Sequence, residues 1–217
     1  MTYTPVPYCE RVNFNQEPAN ILSNGAFLLC AIIALALWYS NARQLPETRS
    51  PRQYARSDPY LFMCMLLPAV IALGSALFHT RPSFATQLLD IVPIGIFIGL
   101  SAALLMLRSG LVGRTTTSAV LLLWLSASIF AGQWPELFRG SLFYVPSLIL
   151  LAGLTRIRRY QRRLTVVLLL FLCAWLLRTA DLPLCDEVVR GTHMYWHLLS
   201  ALASLVLLTI LLSMPSR

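Results

Sequence analysis

The fold is decided by a stretch near the C-terminal end, residues 192–213, which is THMYWHLLSALASLVLLTILLS. A helix needs about 20 mostly apolar residues to cross the hydrocarbon core of a bilayer, and this stretch meets that length. It contains no Asp, Glu, Lys or Arg, and it opens with His193 and His197, four residues apart. Residues four apart lie on one face of a helix. The stretch therefore predicts a membrane-spanning helix that carries two imidazoles side by side at one end.

The rest of the chain has the same apolar character. Of the 217 residues, 57% are hydrophobic and only 12% are charged, whereas soluble domains carry roughly 25% charged residues. We therefore predict an all-α membrane protein, one domain over residues 1–217 that forms a seven-transmembrane-helix bundle after an extramembrane segment at 1–18. The predicted spans are 19–40, 58–79, 84–107, 115–133, 138–155, 163–179 and 192–213.

Arginine placement predicts the orientation of the bundle, because basic residues are enriched in cytoplasmic loops. All 17 basic residues are arginine. Seven spans put twelve of them on one side and five on the other, so the N-terminus is expected outside and the C-terminus in the cytoplasm. The twelve are Arg43, Arg49, Arg52, Arg56, Arg108, Arg114, Arg156, Arg158, Arg159, Arg162, Arg163 and Arg217, and the five are Arg11, Arg81, Arg139, Arg178 and Arg190.

The net charge of +8 is explained by this topology and by lipid headgroups. No nucleic-acid partner is expected, because the sequence holds no groove-binding or RNA-binding signature. A lysine-free chain with many arginines suggests a GC-rich bacterial genome, and thus the inner membrane. With the predicted orientation, the outer side is then the periplasmic side.

Four ionisable residues from three predicted helices converge at that outer side. His79 ends the second span, Asp90 lies early in the third, and His193 and His197 open the seventh. Such side chains are costly at membrane depth, so each is a functional candidate. Three histidine ligands leave a fourth position open on zinc, which is the arrangement of catalytic sites. Ser75 lies one helical turn before His79 and is expected to face the same site.

A less specific interpretation exists for each of these residues. A single histidine at a helix end is more often an interfacial residue than a metal ligand, because histidine has many roles. Ser75 could simply bond its own backbone. The pattern favours a metal site because all three histidines fall on one side, beside an intramembrane aspartate.

Four blocks of sequence carry a resemblance to a known family. They are Tyr8-Cys9-Glu10 with residues 17–24 (EPANILSN), residues 74–80 (GSALFHT), residues 87–93 (QLLDIVP), and Asp181 and Cys185 with residues 193–197 (HMYWH). In order and spacing they resemble the alkaline ceramidases, within the wider group of seven-helix membrane hydrolases that includes the adiponectin receptors. The resemblance implies an intramembrane zinc hydrolase that cleaves a ceramide-like membrane lipid at its amide bond.

The same resemblance implies a role for each candidate residue. His79, His193 and His197 take the positions of the zinc ligands. Asp90 takes the position of the aspartate that works with the zinc-bound water, and Ser75 that of a serine that stabilises the oxyanion. One departure is Ile91, where family members often have a second acidic residue.

The family also implies a calcium site in the N-terminal segment. Glu10, Asn13 and Glu17 occupy matching positions, and oxygen ligands of this kind suit calcium. The acidic residue expected before Cys9 is missing, and the stretch between Glu10 and Glu17 is shorter than in eukaryotic members. The alternative is a solvated segment in which Glu17 and Pro18 only start a helix.

The five cysteines divide into two groups. Cys30, Cys64 and Cys173 fall inside spans and are expected to act as small apolar residues. Cys9 and Cys185 both fall on the outer side, where an oxidising compartment would allow a disulfide. Whether the two sulfur atoms approach each other is left open by the sequence.

Three functions remain open from the sequence. The first is a ceramidase-like zinc amidohydrolase that releases a fatty acid and a sphingoid base. The second is a related lipid hydrolase with another acylated lipid as substrate. The third is a non-enzymatic metal-binding receptor, which would show a fourth protein ligand in place of water. It ranks last, because no fourth histidine exists.

Overall fold

The computed structural model describes residues 7–43 and 58–215, and within them every regular element is helical. The α-helices are α1 (Cys9–Phe14), α2 (Pro18–Ser23), α3 (Gly25–Arg43), α4 (Pro59–Thr80), α5 (Phe84–Ser109), α6 (Arg114–Ala131), α7 (Val145–Leu154), α8 (Gln161–Ala180) and α9 (His193–Leu212). Two 3₁₀ segments, Leu137–Tyr144 and Arg158–Tyr160, precede α7 and α8. Arg49, Arg52, Arg56 and Arg217, used for the orientation, lie outside the described residues.

Seven segments of this part of the chain are long and apolar enough to cross a membrane. They are Pro18–Asn41, Pro59–Thr80, Phe84–Ser109, Arg114–Ala131, Leu137–Leu154, Arg158–Ala180 and His193–Leu212. The prediction of an all-α membrane protein with seven spanning helices is confirmed. Its orientation in the membrane stays a prediction.

A tight helical hairpin joins α4 to α5 through three residues. The hydroxyl of Ser83 accepts a hydrogen bond from the Thr86 N–H (3.1 Å), and the Thr86 hydroxyl accepts one from the Ser83 N–H (2.9 Å). This reciprocal cap satisfies backbone donors that a helix start leaves unpaired. The short connection makes the two helices antiparallel neighbours, so the end of α4 and the start of α5 lie at the same depth.

Gly74 allows α4 and α5 to approach each other closely. A Cβ atom added there would lie 2.0 Å from the main-chain oxygen of Leu89 and 3.3 Å from the nitrogen of Asp90. Any side chain would therefore force the two backbones apart. Small residues at contacts between spanning helices let backbones meet in this way. Here the contact brings Ser75, the residue after Gly74, close to the backbone of Asp90 on α5.

The last helix, α9, is the central element of the bundle. It packs mainly against α8 and α3, with smaller contacts to α4 and α5. Its buried residues are mostly small or aliphatic, as in Ala201, Ala203 and Leu208. The outer helices instead expose large apolar side chains, such as Leu122 and Leu123 on α6. An apolar exterior is what lipid contact requires, so the polar residues of α9 must be satisfied inside the bundle.

Candidate metal centre

The three histidines meet at one end of the bundle. His79 lies in the last turn of α4, and His193 and His197 lie on one face of the first turns of α9. One potential ligand atom from each lies within 4.8 Å of the others, and each residue is only 2% exposed. Among the described His, Cys, Asp and Glu residues, this is the one group of three that could share an ion.

Hydrogen bonds determine which ring nitrogen of His79 is available to bind a metal ion. Its Nδ1 bonds to a carboxylate oxygen of Glu17, whereas its buried Nε2 has no partner among the described residues. A carboxylate can only accept, so Nδ1 carries the proton and Nε2 presents a lone pair. A histidine held this way by a carboxylate is the usual support of a metal ligand.

His197 is oriented by a second partner. The hydroxyl of Ser23 donates to the main-chain oxygen of Asn20 (2.9 Å), so its oxygen accepts from Nδ1 of His197 (2.7 Å). That assignment again leaves Nε2 as the ring nitrogen with a free lone pair. In His193, the buried Nδ1 has no partner in the described part of the chain, and the ring stacks on Tyr8 with centroids 3.8 Å apart. Buried imidazole nitrogens without partners, in a group whose potential ligand atoms lie within 4.8 Å of one another, fit a metal ion.

Ser75 and Asp90 complete the predicted set. Ser75 is buried one turn before His79, and Asp90 lies on the facing helix, where Gly74 packs directly against the backbone of Leu89 and Asp90. The structure therefore brings all five predicted residues of the catalytic set to one place. Their chemical roles stay predictions.

Glu17 is a residue whose role sequence reasoning missed. The resemblance implies a calcium ligand at Glu17, and this stays a prediction. In the structure, its carboxylate bonds to His79, to the guanidinium of Arg11 and to the amide of Asn20 (3.0 Å for the last). Burial opposes its ionisation, yet these partners hold the pKa of Glu17 below its usual value. Arg11 also donates to the main-chain oxygen of His79 at 2.7 Å. The sequence signal for this role is weak: an acidic residue beside the start of a span, at the depth of a histidine.

The other predicted calcium residues have separate partners. The two carboxylate oxygens of Glu10 accept from the backbone N–H groups of Ala19 (2.8 Å) and Asn20 (2.9 Å). The amide of Asn13 donates to the main-chain oxygen of Val189 (2.8 Å). Glu10 and Glu17 thus stabilise the start of the first span through hydrogen bonds to Ala19 and Asn20. Calcium binding by this segment stays a prediction.

Asp181 is the second residue that sequence reasoning left without a role. It is 2% exposed, and its carboxylate accepts backbone hydrogen bonds from Cys9 (2.8 Å), Thr192 (2.7 Å) and His193 (2.8 Å). Gly191 has a φ of +69°, and a Cβ there would lie 2.2 Å from the Asp181 carboxylate. A buried anion at the start of α9 also suits the helix dipole. Asp181 thus fixes the turn from which the His193 ring projects.

A disulfide joins the N-terminal segment to the loop before α9, the same two segments that Asp181 connects through its hydrogen bonds. Cys9 and Cys185 are bonded, with their Cα atoms 5.4 Å apart and 176 positions between them in sequence. The pairing that the sequence left open is therefore present. It ties the N-terminal segment, which carries Glu17 a few residues on, to the loop that leads into α9.

Arg178, used above only for topology, lies at the margin of the site. Its guanidinium donates to the hydroxyls of Ser141 (3.0 Å) and Tyr8 (3.3 Å). Burial raises the pKa of Tyr8 above its usual value, against the opposing charge of Arg178. Tyr8 therefore stays a neutral phenol that can stack on His193.

The Glu17 contact yields a prediction about metal affinity. Glu17→Gln keeps the shape of the side chain but removes the charge that supports His79. We expect the affinity for zinc, the predicted metal, to fall about 10- to 100-fold. Titration of the purified protein against a zinc chelator measures this. The matched control is Glu136→Gln, because Glu136 is exposed; equal affinities in the two variants would contradict the role of Glu17.

Comparison with known proteins agrees with the geometry. A sequence model of the ceramidase family matches residues 5–216, nearly the whole chain. Among curated proteins, none matches the sequence. The matched range contains every residue of the centre described above, from Glu17 to His197. On the strength of that match, this seven-helix membrane protein belongs to the ceramidase family.

Proposed function

We propose that the protein is a zinc-dependent amidohydrolase that cleaves the amide bond of a ceramide-like lipid, giving a fatty acid and a sphingoid base. Family membership supports the hydrolysis of ceramide in general. The observation that supports the zinc assignment is the buried set of three imidazoles whose potential ligand atoms lie within 4.8 Å of one another, with the rings of His79 and His197 oriented by Glu17 and Ser23. Neutral imidazole nitrogens are ligands that zinc favours.

Each residue of the centre has a separate role in the proposed hydrolysis. His79, His193 and His197 would hold the zinc ion, and the chemistry it would supply there is activation of water and polarisation of the substrate carbonyl. Asp90 accepts the proton that the attacking water loses and returns it to the amine nitrogen of the leaving group. Ser75 donates a hydrogen bond to the carbonyl oxygen as that oxygen gains negative charge. Water is consumed, and the two products separate as an acid and an amine.

The test combines metal analysis with lipid mass spectrometry. We expect detergent-purified protein to contain one zinc per chain and to release fatty acid and sphingoid base from ceramide. Exhaustive chelation should abolish release, and added zinc should restore it. Full activity after chelation would overturn the zinc assignment. Hydrolysis of another acylated lipid, with none of ceramide, would overturn the substrate.

We also propose a bacterial inner membrane as the location, with the centre toward the periplasm. The disulfide near the histidines supports an oxidising compartment on that side, and the arginine-rich loops support a cytoplasmic opposite side. A cysteine introduced at position 158 should react with a membrane-impermeant maleimide only after the cells are opened. Labelling in intact cells would contradict this orientation.

A further inference from the structure

An apolar cavity begins directly beyond the histidine centre and runs toward the middle of the bundle. On three segments, its first lining residue lies four positions from a residue of the centre. These pairs are Ser23 and Phe27, Ser75 and Ile71, and Asp90 and Ile94. On α9, the lining begins with Trp196, next to His197, and continues with Ser200, three positions beyond His197. The lining continues along α5 to Leu105. Eleven residues separate Ile94 from Leu105, so the cavity follows α5 for about 16 Å.

Apolar atoms make up nearly all of the cavity wall, which suits one hydrocarbon chain of a lipid. Three serines interrupt it. The Ser147 hydroxyl accepts a hydrogen bond from the Trp124 indole (3.0 Å), and the Ser204 hydroxyl donates to the main-chain oxygen of Ser200 (2.8 Å). The Ser200 hydroxyl is different. It is buried, with only 7% of the residue exposed, and it has no hydrogen-bond partner among the described residues.

A buried hydroxyl without a partner is unfavourable unless something that occupies the site pairs with it. Ser200 follows His197 by three residues, so it lies about 4.5 Å farther along the axis of α9. A lipid with its amide carbonyl at the histidines would bring the first few carbons of its chain past this hydroxyl. Beyond Ser200, the deeper Ser204 already uses its proton within the helix.

We propose that Ser200 recognises a hydroxyl on the second or third carbon of the acyl chain, so that N-(hydroxyacyl) lipids are the preferred substrates. This inference rests on the proposed function, because it names the substrate class of the same site. The Ser200 hydroxyl can donate to the lipid hydroxyl or accept from it. The specificity follows because an unsubstituted chain leaves the serine unpaired.

The experiment compares ceramides that differ only in the acyl hydroxyl: N-stearoyl-, N-(2-hydroxystearoyl)- and N-(3-hydroxystearoyl)-sphingosine. We expect kcat/KM of the wild type to be about five- to tenfold higher for at least one hydroxylated substrate, which is the size of one neutral hydrogen bond. In Ser200→Ala that ratio should fall toward one. The matched control is Ser204→Ala, one turn deeper, which should keep the wild-type ratio. Separate kcat and KM values will show whether the preference is expressed in binding.

The outcomes separate this inference from the proposed function. If the wild type hydrolyses all three ceramides equally well, or if Ser200→Ala keeps the full preference, the role of Ser200 is wrong and ceramide hydrolysis stands. If zinc-loaded wild type hydrolyses none of them, the proposed function falls and the preference falls with it. Zinc content is measured for every variant, so that loss of metal is not mistaken for loss of specificity.

Discussion

Replacing His193 by alanine is expected to strip the metal from the protein and to abolish hydrolysis. The ring supplies one of three ligand atoms that lie within 4.8 Å of one another. Its removal leaves His79 and His197, and two imidazoles hold zinc far less firmly than three ligands of a catalytic site. Because the metal contributes several kcal/mol of transition-state stabilisation, activity should drop at least about a thousandfold.

Metal content and turnover of the purified variant check this expectation together. Tyr195→Ala is the matched control, because Tyr195 lies in the same turn of α9 but is 42% exposed. It should keep one zinc per chain. A His193→Ala protein that still carried wild-type zinc would show that helix α9 does not supply the ligand proposed here.

Replacing Asp90 by asparagine is also expected to abolish most turnover, but this variant should keep its metal. Asparagine matches aspartate in shape, but its amide cannot take up a proton from water. Asp90 lies beside Ser75 and His79 without belonging to the histidine group. General acid–base catalysis contributes about 10²- to 10⁴-fold, so we expect kcat to fall by that factor while zinc stoichiometry stays at one.

The control for this variant is Asp186→Asn, in which the same change is made at an exposed position. Its kcat should match that of the wild type. Retained turnover in Asp90→Asn would remove Asp90 from the chemistry. Loss of zinc in that variant would make Asp90 a support of the metal site instead.

The seven-helix architecture and the histidine cluster could be predicted because both follow from spacing along the chain. Span length fixes the number of crossings, and the number of crossings decides which helix ends share a side. His79 and His193 are therefore placed together by topology alone. The four-residue interval to His197 then places the third ring on the same helix face.

The partners of the histidines could not be predicted in this way. Glu17 and His79 are separated by 62 positions, and their contact depends on how the start of α2, which Glu17 caps, packs against the end of α4. Asp181 belongs to a block that carries the family resemblance, but its neighbourhood in the sequence does not show that the N–H groups of Cys9, Thr192 and His193 bond to it. Every residue except proline carries the same backbone N–H donor, so the sequence does not show which donors bond to a given carboxylate.

The hydrogen-bond partners of the serine hydroxyls in the cavity could not be predicted from the sequence either. Ser200 and Ser204 lie on the same helix in similar apolar surroundings, and sequence reasoning treats them alike. In the structure one hydroxyl bonds the preceding turn and the other is left open. That difference depends on side-chain rotamers, which no periodicity encodes.

The predicted metal ligands lie on α4 and on α9, and α9 is the last of the described helices to be synthesised. A nascent chain that stalls before α9 contains only one of the three histidines, His79. If the three histidines hold the ion, we expect metal loading to follow insertion of the final span, so that metal occupancy measures the fraction of chains that have completed this step.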